Sequence, residues 1–236
     1  MANIRQEDVS NVILAALPAE EFAELAPLLA PVTHDAGQRL YDEDEVIRHV
    51  HFIESGLLSL LSTLEDGTTI EVGALGREGM GGLSMLLGAE KAAHTALTQV
   101  TGTALRMRAE HARDAFGRLP AFQSKMLRYT HMLMSQISQI AACNTLHTVE
   151  ERLARWLIMC RRRLESDHLP LTQEFLSHML GVRRSGVTVA VGILQQAGFI
   201  RHTRGAIHVA DPEGLRNASC ECVKAMIEEY DSYLSE

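Results

Sequence analysis

Apolar residues recur with helical spacing in two consecutive segments within residues 172–196. The first segment places four of them on one helical face: Phe175, Leu176, Met179 and Leu180. The second segment places three on one face: Val187, Val191 and Leu194. Thr172 precedes the first segment, where a hydroxyl caps a helix, and Gly181 follows it, where the left-handed conformation favours glycine. The pattern predicts two short helices joined by a tight turn, a helix-turn-helix.

The beginning of the second helix carries polar residues on the side away from the first helix. They are Arg183, Arg184, Ser185 and Thr188. Arginine pairs in a bidentate manner with guanine, and small hydroxyl side chains reach base edges or phosphates. These four residues therefore indicate a helix that contacts DNA. An ordinary helical hairpin packed in a core is the alternative interpretation.

Apolar and polar residues alternate directly afterwards, from Phe199 to Val209. The alternation is centred on Arg204-Gly205, which predicts a β-hairpin that turns at the glycine. Arg201 and Arg204 place positive charge on this hairpin. A helix-turn-helix followed by a basic hairpin is a winged helix-turn-helix. The hairpin therefore favours DNA binding over the plain helical hairpin.

Short β-like segments separated by glycines occupy residues 32–108. The clearest candidate strands are His49–Glu54, Leu57–Leu61 and Thr69–Ala74. Glycine at this density between short strands predicts a small antiparallel roll or barrel. A helix is predicted before the roll, from Leu14 to Leu29.

Residues 121–146 contain little glycine or proline and predict one long helix. Six positions on it alternate steps of four and three residues: Met126, Thr130, Leu133, Ile137, Ile140 and Asn144. This spacing is typical of the seam of a two-stranded coiled coil, in which a polar Asn144 would fix the register. The seam predicts a homodimer. The alternative is a helix that packs on the roll of its own chain.

Charge is distributed unevenly along the chain. The formal net charge is −8, which by itself disfavours nucleic acid as a partner. Residues 151–210, however, contain nine arginines and four acidic residues, a net charge of +5 that leaves −13 on the remainder. A basic module on an acidic carrier is compatible with DNA binding.

Composition and cysteine spacing favour a protein of the cytoplasm. The hydrophobic share of 46% is ordinary for a globular protein, and no apolar run approaches the roughly 20 residues that span a bilayer. The N-terminus has no basic leader before a long apolar core, so no secretory signal is expected. The four cysteines show neither a disulfide nor a zinc spacing: Cys143, Cys160, Cys220 and Cys222. If one helix carries Cys220 and Cys222, their side chains diverge by about 200°, so reduced thiols and no metal site are expected.

The order of these parts resembles the Crp/Fnr family of bacterial transcription regulators. Three stretches carry the resemblance: Gly37-Gln38-Arg39-Leu40-Tyr41, Val50-His51-Phe52-Ile53-Glu54-Ser55-Gly56, and Thr172-Gln173-Glu174 through Leu180-Gly181-Val182-Arg183-Arg184-Ser185-Gly186-Val187-Thr188. The resemblance implies an α+β fold with three parts. They are an N-terminal antiparallel β-roll (a double-stranded β-helix like a cyclic-nucleotide-binding domain, residues 1–117), a dimerisation helix (118–146) and a C-terminal winged helix-turn-helix (147–236).

The resemblance also implies a non-catalytic homodimer that binds a two-fold symmetric promoter site in double-stranded DNA. Each recognition helix would enter a major groove, with half-sites about one helical turn apart, and RNA polymerase is a further candidate partner. The family's central arginine corresponds to Arg184, its neighbouring glutamate to Ser185 and its later arginine to Val189. Because of the last two departures, the family's best-known DNA site is not assumed for this chain. Thr172, Gln173, Arg201 and Arg204 complete the expected DNA contacts.

The family's cyclic-AMP pocket uses a glutamate for the ribose and an arginine for the phosphate. Here the glutamate's position falls on Gly82 and the arginine's near His94 or Thr95. Because each charge-assisted hydrogen bond contributes roughly 1.5–3 kcal/mol, we expect no response to cyclic AMP. The corresponding effector pocket comprises Gly81, Gly82, Leu83, Ser84 and Thr95, and the sequence leaves its ligand open.

Other sensor chemistries and one enzyme class remain to be considered. An iron–sulfur cluster needs several neighbouring thiolates, which the N-terminal sequence lacks. Haem needs only one histidine as a ligand, and the chain has eleven, so the sequence leaves haem binding open. His49 and His51 share a strand face near Glu54, a pattern that holds a metal in small β-barrel enzymes, with His94 as the third histidine. A metal-dependent, cupin-like enzyme fused to a DNA-binding tail is therefore the alternative to a regulator without a cofactor.

Overall fold

The structure, a computed structural model, describes residues 4–235, which form two compact units. One unit contains the described residues up to Leu60 together with Ala74–Leu133. The other contains Leu61–Gly73 together with Met134–Ser235. The division falls inside the long helix, between the expected domain boundaries after residues 117 and 146.

The N-terminal strands form two four-stranded sheets. They are β1 (Ala30–His34), β2 (Arg39–Tyr41), β3 (His49–Ile53), β4 (Leu57–Thr63), β5 (Thr69–Leu75), β6 (Met80–Gly81), β7 (Thr95–Val100) and β8 (Gly102–Arg108). One sheet has the order β1-β8-β3-β6 and the other β2-β7-β4-β5. The antiparallel register of β3 and β8 sets Val50 opposite Met107, both fully buried. The predicted roll and its three clearest strands are confirmed.

Four helices precede or follow the strands of the roll. They are α1 (Val12–Ala15), α2 (Ala19–Leu25), α3 (Ala109–Arg118) and α4 (Pro120–Leu146). The single helix expected from Leu14 to Leu29 is wrong, because Pro18 lacks a backbone N–H and disfavours the helical conformation before it. The Glu21 carboxylate accepts hydrogen bonds from the backbone N–H groups of Ala121 (2.9 Å) and Phe122 (2.8 Å). It thereby satisfies donors that the first turn of α4 leaves without an intrahelical partner.

Aromatic side chains attach the first half of α4 to the roll. The rings of Phe52 on β3 and Phe122 on α4 lie 6.2 Å apart between centroids, and both side chains are fully buried. The Tyr129 hydroxyl donates to the backbone carbonyl of Met80 at 3.1 Å. A buried phenol needs such a partner, so this hydrogen bond fixes which face of α4 turns inward. The first half of α4 therefore packs on the roll of its own chain.

The second unit is mainly helical and contains a three-stranded sheet. Its elements are α5 (Val149–Leu164), β9 (His168–Leu169), α6 (Gln173–Leu180), α7 (Arg184–Gln196), β10 (Ile200–Thr203), β11 (Ala206–Val209), α8 (Pro212–Asn217) and α9 (Cys222–Leu234). The sheet has the order β10-β11-β9. The predicted helix-turn-helix and hairpin are α6, α7 and the β10–β11 pair, which confirms the winged helix-turn-helix.

Helix α5 forms the centre of this unit. It begins with a capping box, in which the Thr148 hydroxyl accepts from the Glu151 N–H and the Glu151 carboxylate accepts from the Thr148 N–H (2.9 Å). It packs against α6, α7, α8, α9 and β9. Trp156 donates to the buried Glu71 carboxylate on β5 at 2.8 Å.

The beginning of α9 differs from the expectation for the cysteines. Cys222 is the first residue of α9, whereas Cys220 lies in the turn before it. Because Cys220 and Cys222 do not lie on one helix, the divergence of about 200° expected for their side chains does not apply. Among residues 4–235, no helix is long and apolar enough to cross a membrane.

Two histidines of the roll form a buried pair. His34 Nε2 and His51 Nδ1 lie 3.0 Å apart, and both side chains are buried. Burial lowers the pKa of His51 to about 3, and the neighbouring His34 and Arg106 add to this effect. Burial also lowers the pKa of His34. Both rings are therefore neutral near pH 7.

The free energy of unfolding should fall as the pH is lowered from 6.5 toward 3. His51 binds a proton near pH 6.5 in the unfolded chain and only near pH 3 in the folded chain, so the unfolded state holds more protons between these values. Between pH 6.5 and 5 the loss through His51 is about 2 kcal/mol. Urea unfolding at a series of pH values measures it.

The His51→Gln variant should flatten this pH dependence, whereas His208→Gln, at an exposed position of β11, should leave it unchanged. An equal slope in the wild type and His51→Gln would contradict the assignment.

Candidate nucleic-acid interface

The turn between α6 and α7 is fixed at both ends. The Thr172 hydroxyl accepts from the Phe175 N–H at 3.1 Å, which caps α6 as predicted. Gly181 ends α6 with φ +61°, and a Cβ there would lie 2.8 Å from Ile70 Cδ1. The Arg152 guanidinium on α5 donates to the Leu180 carbonyl, one of the carbonyls that the end of α6 leaves free. The turn is therefore held by glycine geometry and by a buried arginine.

Helix α7 has one buried and one exposed face. Its buried residues are Val187, Ala190, Val191 and Leu194. Its exposed residues near the N-terminus are Arg183 (the N-cap), Arg184, Ser185, Thr188 and Val189. The four polar side chains predicted to contact DNA are thus brought together on the solvent side of one helix.

Gln173 at the beginning of α6 lies beside this exposed face. The Thr188 hydroxyl lies 3.1 Å from Gln173 Oε1 and 3.0 Å from the Arg184 carbonyl oxygen. The structure therefore brings Gln173 to the same surface as Thr188 and Arg184. Thr172 is exposed as well, but its hydroxyl already accepts the capping hydrogen bond.

The hairpin of β10 and β11 forms the wing. Gly205 at its turn has φ +86°, and Arg201 and Arg204 are both exposed. The Gln195 side chain at the end of α7 accepts from the His202 N–H at 3.0 Å and so ties the wing to α7. The sequence did not indicate Gln195 as a functional residue. Its contact with His202, seven positions further along, can be recognised only once the position of β10 beside α7 is known.

The arginines of residues 151–210 divide into two groups. Five lie on α5 and have structural partners or burial: Arg152, Arg155, Arg161, Arg162 and Arg163. Four are exposed on the helix-turn-helix and the wing: Arg183, Arg184, Arg201 and Arg204. The net charge of +5 therefore overstates the positive charge that this segment presents to a ligand.

The exposed face of α4 shares three of its six positions with the predicted seam, and the other three are shifted by one residue along the helix. Met126, Leu133 and Ile140 are buried within a single chain, so we correct the seam at these three positions. Exposed and half-buried residues instead form what we call the α4 stripe: Leu127, Thr130, Met134, Ile137, Ala141 and Asn144. Leu127 and Met134 are 52% and 63% exposed, which is unusual for large apolar side chains. The stripe keeps the three- and four-residue steps of a coiled-coil seam.

The expected effector pocket lies around β6 and the turn that follows it. The Gly82 N–H donates to the Tyr41 hydroxyl at 2.9 Å, and a Cβ at Gly82 (φ +94°) would lie 3.2 Å from Val50 Cγ1. A Cβ at Gly81 would lie 3.1 Å from Leu58. Burial raises the pKa of Tyr41 to about 12, so this hydroxyl stays protonated. The two glycines are thus enclosed by their own chain.

The remaining residues of the expected pocket take part in a turn or in hydrogen bonds within their own chain. Leu83 and Ser84 belong to a single 3-10 turn, and the Ser84 carbonyl accepts from the N–H groups of Leu87 and Ala89. The Thr95 hydroxyl accepts from the Glu43 N–H at 3.1 Å. Burial lowers the pKa of His94, so that this ring is neutral near pH 7.

Two residues of the enzyme alternative, His51 and Glu54, have other partners. His51 faces His34, as described above, and the Glu54 carboxylate accepts from the N–H groups of Ser10 and Asn11 at 3.0 Å each. Within the described chain, His49, His51, Glu54 and His94 do not form a metal-binding group. The cupin-like enzyme is therefore not supported.

Two family models match the chain. A model of the cyclic nucleotide-binding domain matches residues 31–118, and a model of the Crp-like helix-turn-helix domain matches residues 151–218. Together they cover more than half of the chain, in the order seen in the structure. The chain belongs to the Crp/Fnr family of transcription regulators and has their DNA-binding fold. No curated protein matches it in sequence.

Solved structures share the fold across most of the chain. FixK2 from Bradyrhizobium japonicum is 17% identical, with 81% of this chain and 98% of that chain covered and a TM-score of 0.71. TTHB099, a transcriptional regulator of the CRP family from Thermus thermophilus, is 16% identical, with 80% and 96% covered and a TM-score of 0.66. CLP from Xanthomonas campestris, described as a c-di-GMP responsive global regulator, is 13% identical, with 81% and 99% covered and a TM-score of 0.65.

Proposed function

We propose that the protein is a homodimeric transcription regulator that reads promoter DNA with α7 and does not respond to cyclic AMP. The observation that carries this proposal is the division of α7 into two faces. One face is buried against α5 and α6, and the other presents Arg183, Arg184, Ser185 and Thr188 to solvent. RNA polymerase as a further partner and the identity of any effector stay predictions.

The exposed face of α7 fits the major groove of DNA. That groove is about 12 Å wide and admits one α-helix, and its base edges distinguish all four base pairs. Arg184 is the first residue of α7, and helix N-termini with neighbouring arginines favour phosphate and base contacts. Arg201 and Arg204 on the wing would then contact the sugar–phosphate backbone, which sets orientation more than sequence preference.

The α4 stripe supports the homodimer. Its apolar members Leu127, Met134 and Ile137 follow a coiled-coil spacing along a helix of 27 residues. A second copy of the helix would cover them, and Asn144 would pair near the end of the stripe. Two recognition helices related by a two-fold axis would then bind a two-fold symmetric site.

The enclosed glycines support the absence of a cyclic-AMP response. The Gly82 N–H already has the Tyr41 hydroxyl as its acceptor. A glutamate at this position would have a strained backbone at φ +94° and a Cβ only 3.2 Å from Val50 Cγ1. The neutral His94 offers no positive charge to a phosphate. A cyclic nucleotide would therefore lack both of its charged partners.

Replacing Arg184 should weaken and broaden DNA recognition. The Arg184→Ala variant should lose about 1–3 kcal/mol of binding free energy and its preference at one base position. Fluorescence anisotropy with the preferred site and with single-base variants measures both effects.

Replacing Arg204 on the wing should have a different effect. Arg204→Ala should weaken binding to all sequences and reduce the slope of log K against log salt concentration by about one. Arg216→Ala, at an exposed position of α8, serves as the control; unchanged recognition by Arg184→Ala would refute the assignment.

A charge in the α4 stripe should dissociate the dimer. Met134→Asp and Ile137→Asp each place a carboxylate in the proposed interface, where an unpaired buried charge costs several kcal/mol. Sedimentation equilibrium should show monomers for both variants. Ala142→Asp introduces the same charge on the same helix away from the stripe and should remain dimeric. Dimers that persist in both stripe variants would show that α4 does not form the interface.

Cyclic AMP and cyclic GMP should leave the thermal unfolding midpoint unchanged at millimolar concentration. A ligand that binds only the folded state stabilises it by about 2.7 kcal/mol at a hundredfold excess over Kd, which shifts the midpoint by several degrees. Differential scanning fluorimetry over a concentration series measures this. A saturable rise with either nucleotide would restore the nucleotide-receptor interpretation.

A further inference from the structure

Three cysteines and a histidine of the second unit converge on one point. They are Cys143, His147, Cys220 and Cys222, and one ligand atom from each lies within 4.8 Å of all the others. The Sγ atoms of Cys143 and Cys220 are 3.4 Å apart, and Cys222 Sγ lies 3.6 Å from His147 Nδ1. The three cysteine side chains are buried, and all three are free thiols.

Two local features bring the four side chains together. Cys143 lies in the last turn of α4, and His147 is the first residue after that helix. The His147 N–H donates to the Cys143 carbonyl at 3.1 Å, so the helical spacing continues to His147 and brings the two side chains to the same side. Cys220 lies in the turn before α9 and Cys222 is its first residue, so the chain direction changes between them. The expectation of no metal site rested on the sequence spacing of the cysteines and on a helical placement of Cys220 and Cys222, and the structure corrects that placement.

The distances fit a single tetrahedral ion. Zn–S bonds of about 2.3 Å place tetrahedral ligand atoms about 3.8 Å apart. The Cys143–Cys220 sulfur separation of 3.4 Å and the Cys222–His147 separation of 3.6 Å are close to this value. Thiolate and imidazole ligands disfavour magnesium, calcium and manganese, and a tetrahedral arrangement of them is typical of zinc.

The surroundings of the histidine provide a second, independent observation. His147 Nε2 lies 3.1 Å from the Glu221 carboxylate, while Nδ1 is turned toward the cysteines. Metal-binding histidines typically donate their other ring N–H to a carboxylate, which fixes the ring orientation. Glu221 occupies this position between the two cysteines of the turn.

We propose that Cys143, His147, Cys220 and Cys222 bind one structural zinc ion. The protein supplies all four ligands, which is the arrangement of structural rather than catalytic zinc sites. The ion links the end of α4 to the beginning of α9 within the second unit. This inference does not depend on DNA binding.

Metal analysis of the full-length protein tests the proposal. The protein is purified with reductant, supplied with zinc, passed through a desalting column and analysed by inductively coupled plasma mass spectrometry. About one zinc per chain is expected, and cobalt in its place should give the visible absorption bands of tetrahedral thiolate coordination. Cys222→Ser should lose the bound zinc, whereas Cys160→Ala, which removes the cysteine outside the group, should retain it.

A milder pair of variants covers the case in which Cys222→Ser does not fold. Glu221→Gln changes an exposed side chain and should weaken zinc affinity by about 10–100-fold, measured by competition with a chromogenic chelator. Glu228→Gln, an exposed glutamate on the same helix, should leave the affinity unchanged. A wild type without zinc, a Cys143–Cys220 disulfide in place of metal, or equal zinc content in a folded Cys222→Ser variant would overturn the proposal.

Discussion

Burial of α5 is the constraint around which the second unit is arranged. Its residues from Arg152 to Cys160 are buried without interruption, so every side of its middle turns must be covered. Helices α6, α7, α8 and α9 supply that cover, and each large apolar side chain so buried contributes about 1.5–3 kcal/mol. The same packing brings the Arg152 guanidinium to the last carbonyl of α6. The turn between α6 and α7 is therefore held by contacts inside the unit, and the outer face of α7 stays exposed to solvent.

The distribution of charge follows from this arrangement. A guanidinium that is withdrawn from water needs hydrogen-bond or ring partners. The half-buried Arg162 and the buried Arg163 lie 5.7 and 5.5 Å from the centre of the Tyr230 ring. These arginines stabilise the unit and present little charge to a ligand. Within residues 151–210, the exposed arginines lie at the N-terminus of α7 and on the wing, so an acidic protein still carries a locally basic face there.

Features set by local sequence could be predicted, and features set by distant contacts could not. The Thr172 cap, Gly181 and the alternation around Gly205 predicted the helix-turn-helix and the wing, because each acts within a few residues. Three positions of the predicted α4 seam are buried in their own chain: Met126, Leu133 and Ile140. The spacing alone could not predict this, because a neighbouring set of positions on α4 has the same coiled-coil spacing. Contacts with distant residues, such as the Tyr129 hydrogen bond to Met80, determine which set is buried. The cysteine group joins residues 77 positions apart in sequence and depends on where α9 begins, a boundary that patterns locate only within one or two residues.

The proposed function requires that two copies of α7 bind a two-fold symmetric DNA site. Selection of bound duplexes from a random pool by the purified full-length protein, followed by sequencing, tests this requirement. We expect enrichment of an inverted repeat whose half-site centres lie about 34–36 Å apart along the duplex. A pool without any enriched sequence, or an enriched site without two-fold symmetry, would contradict it.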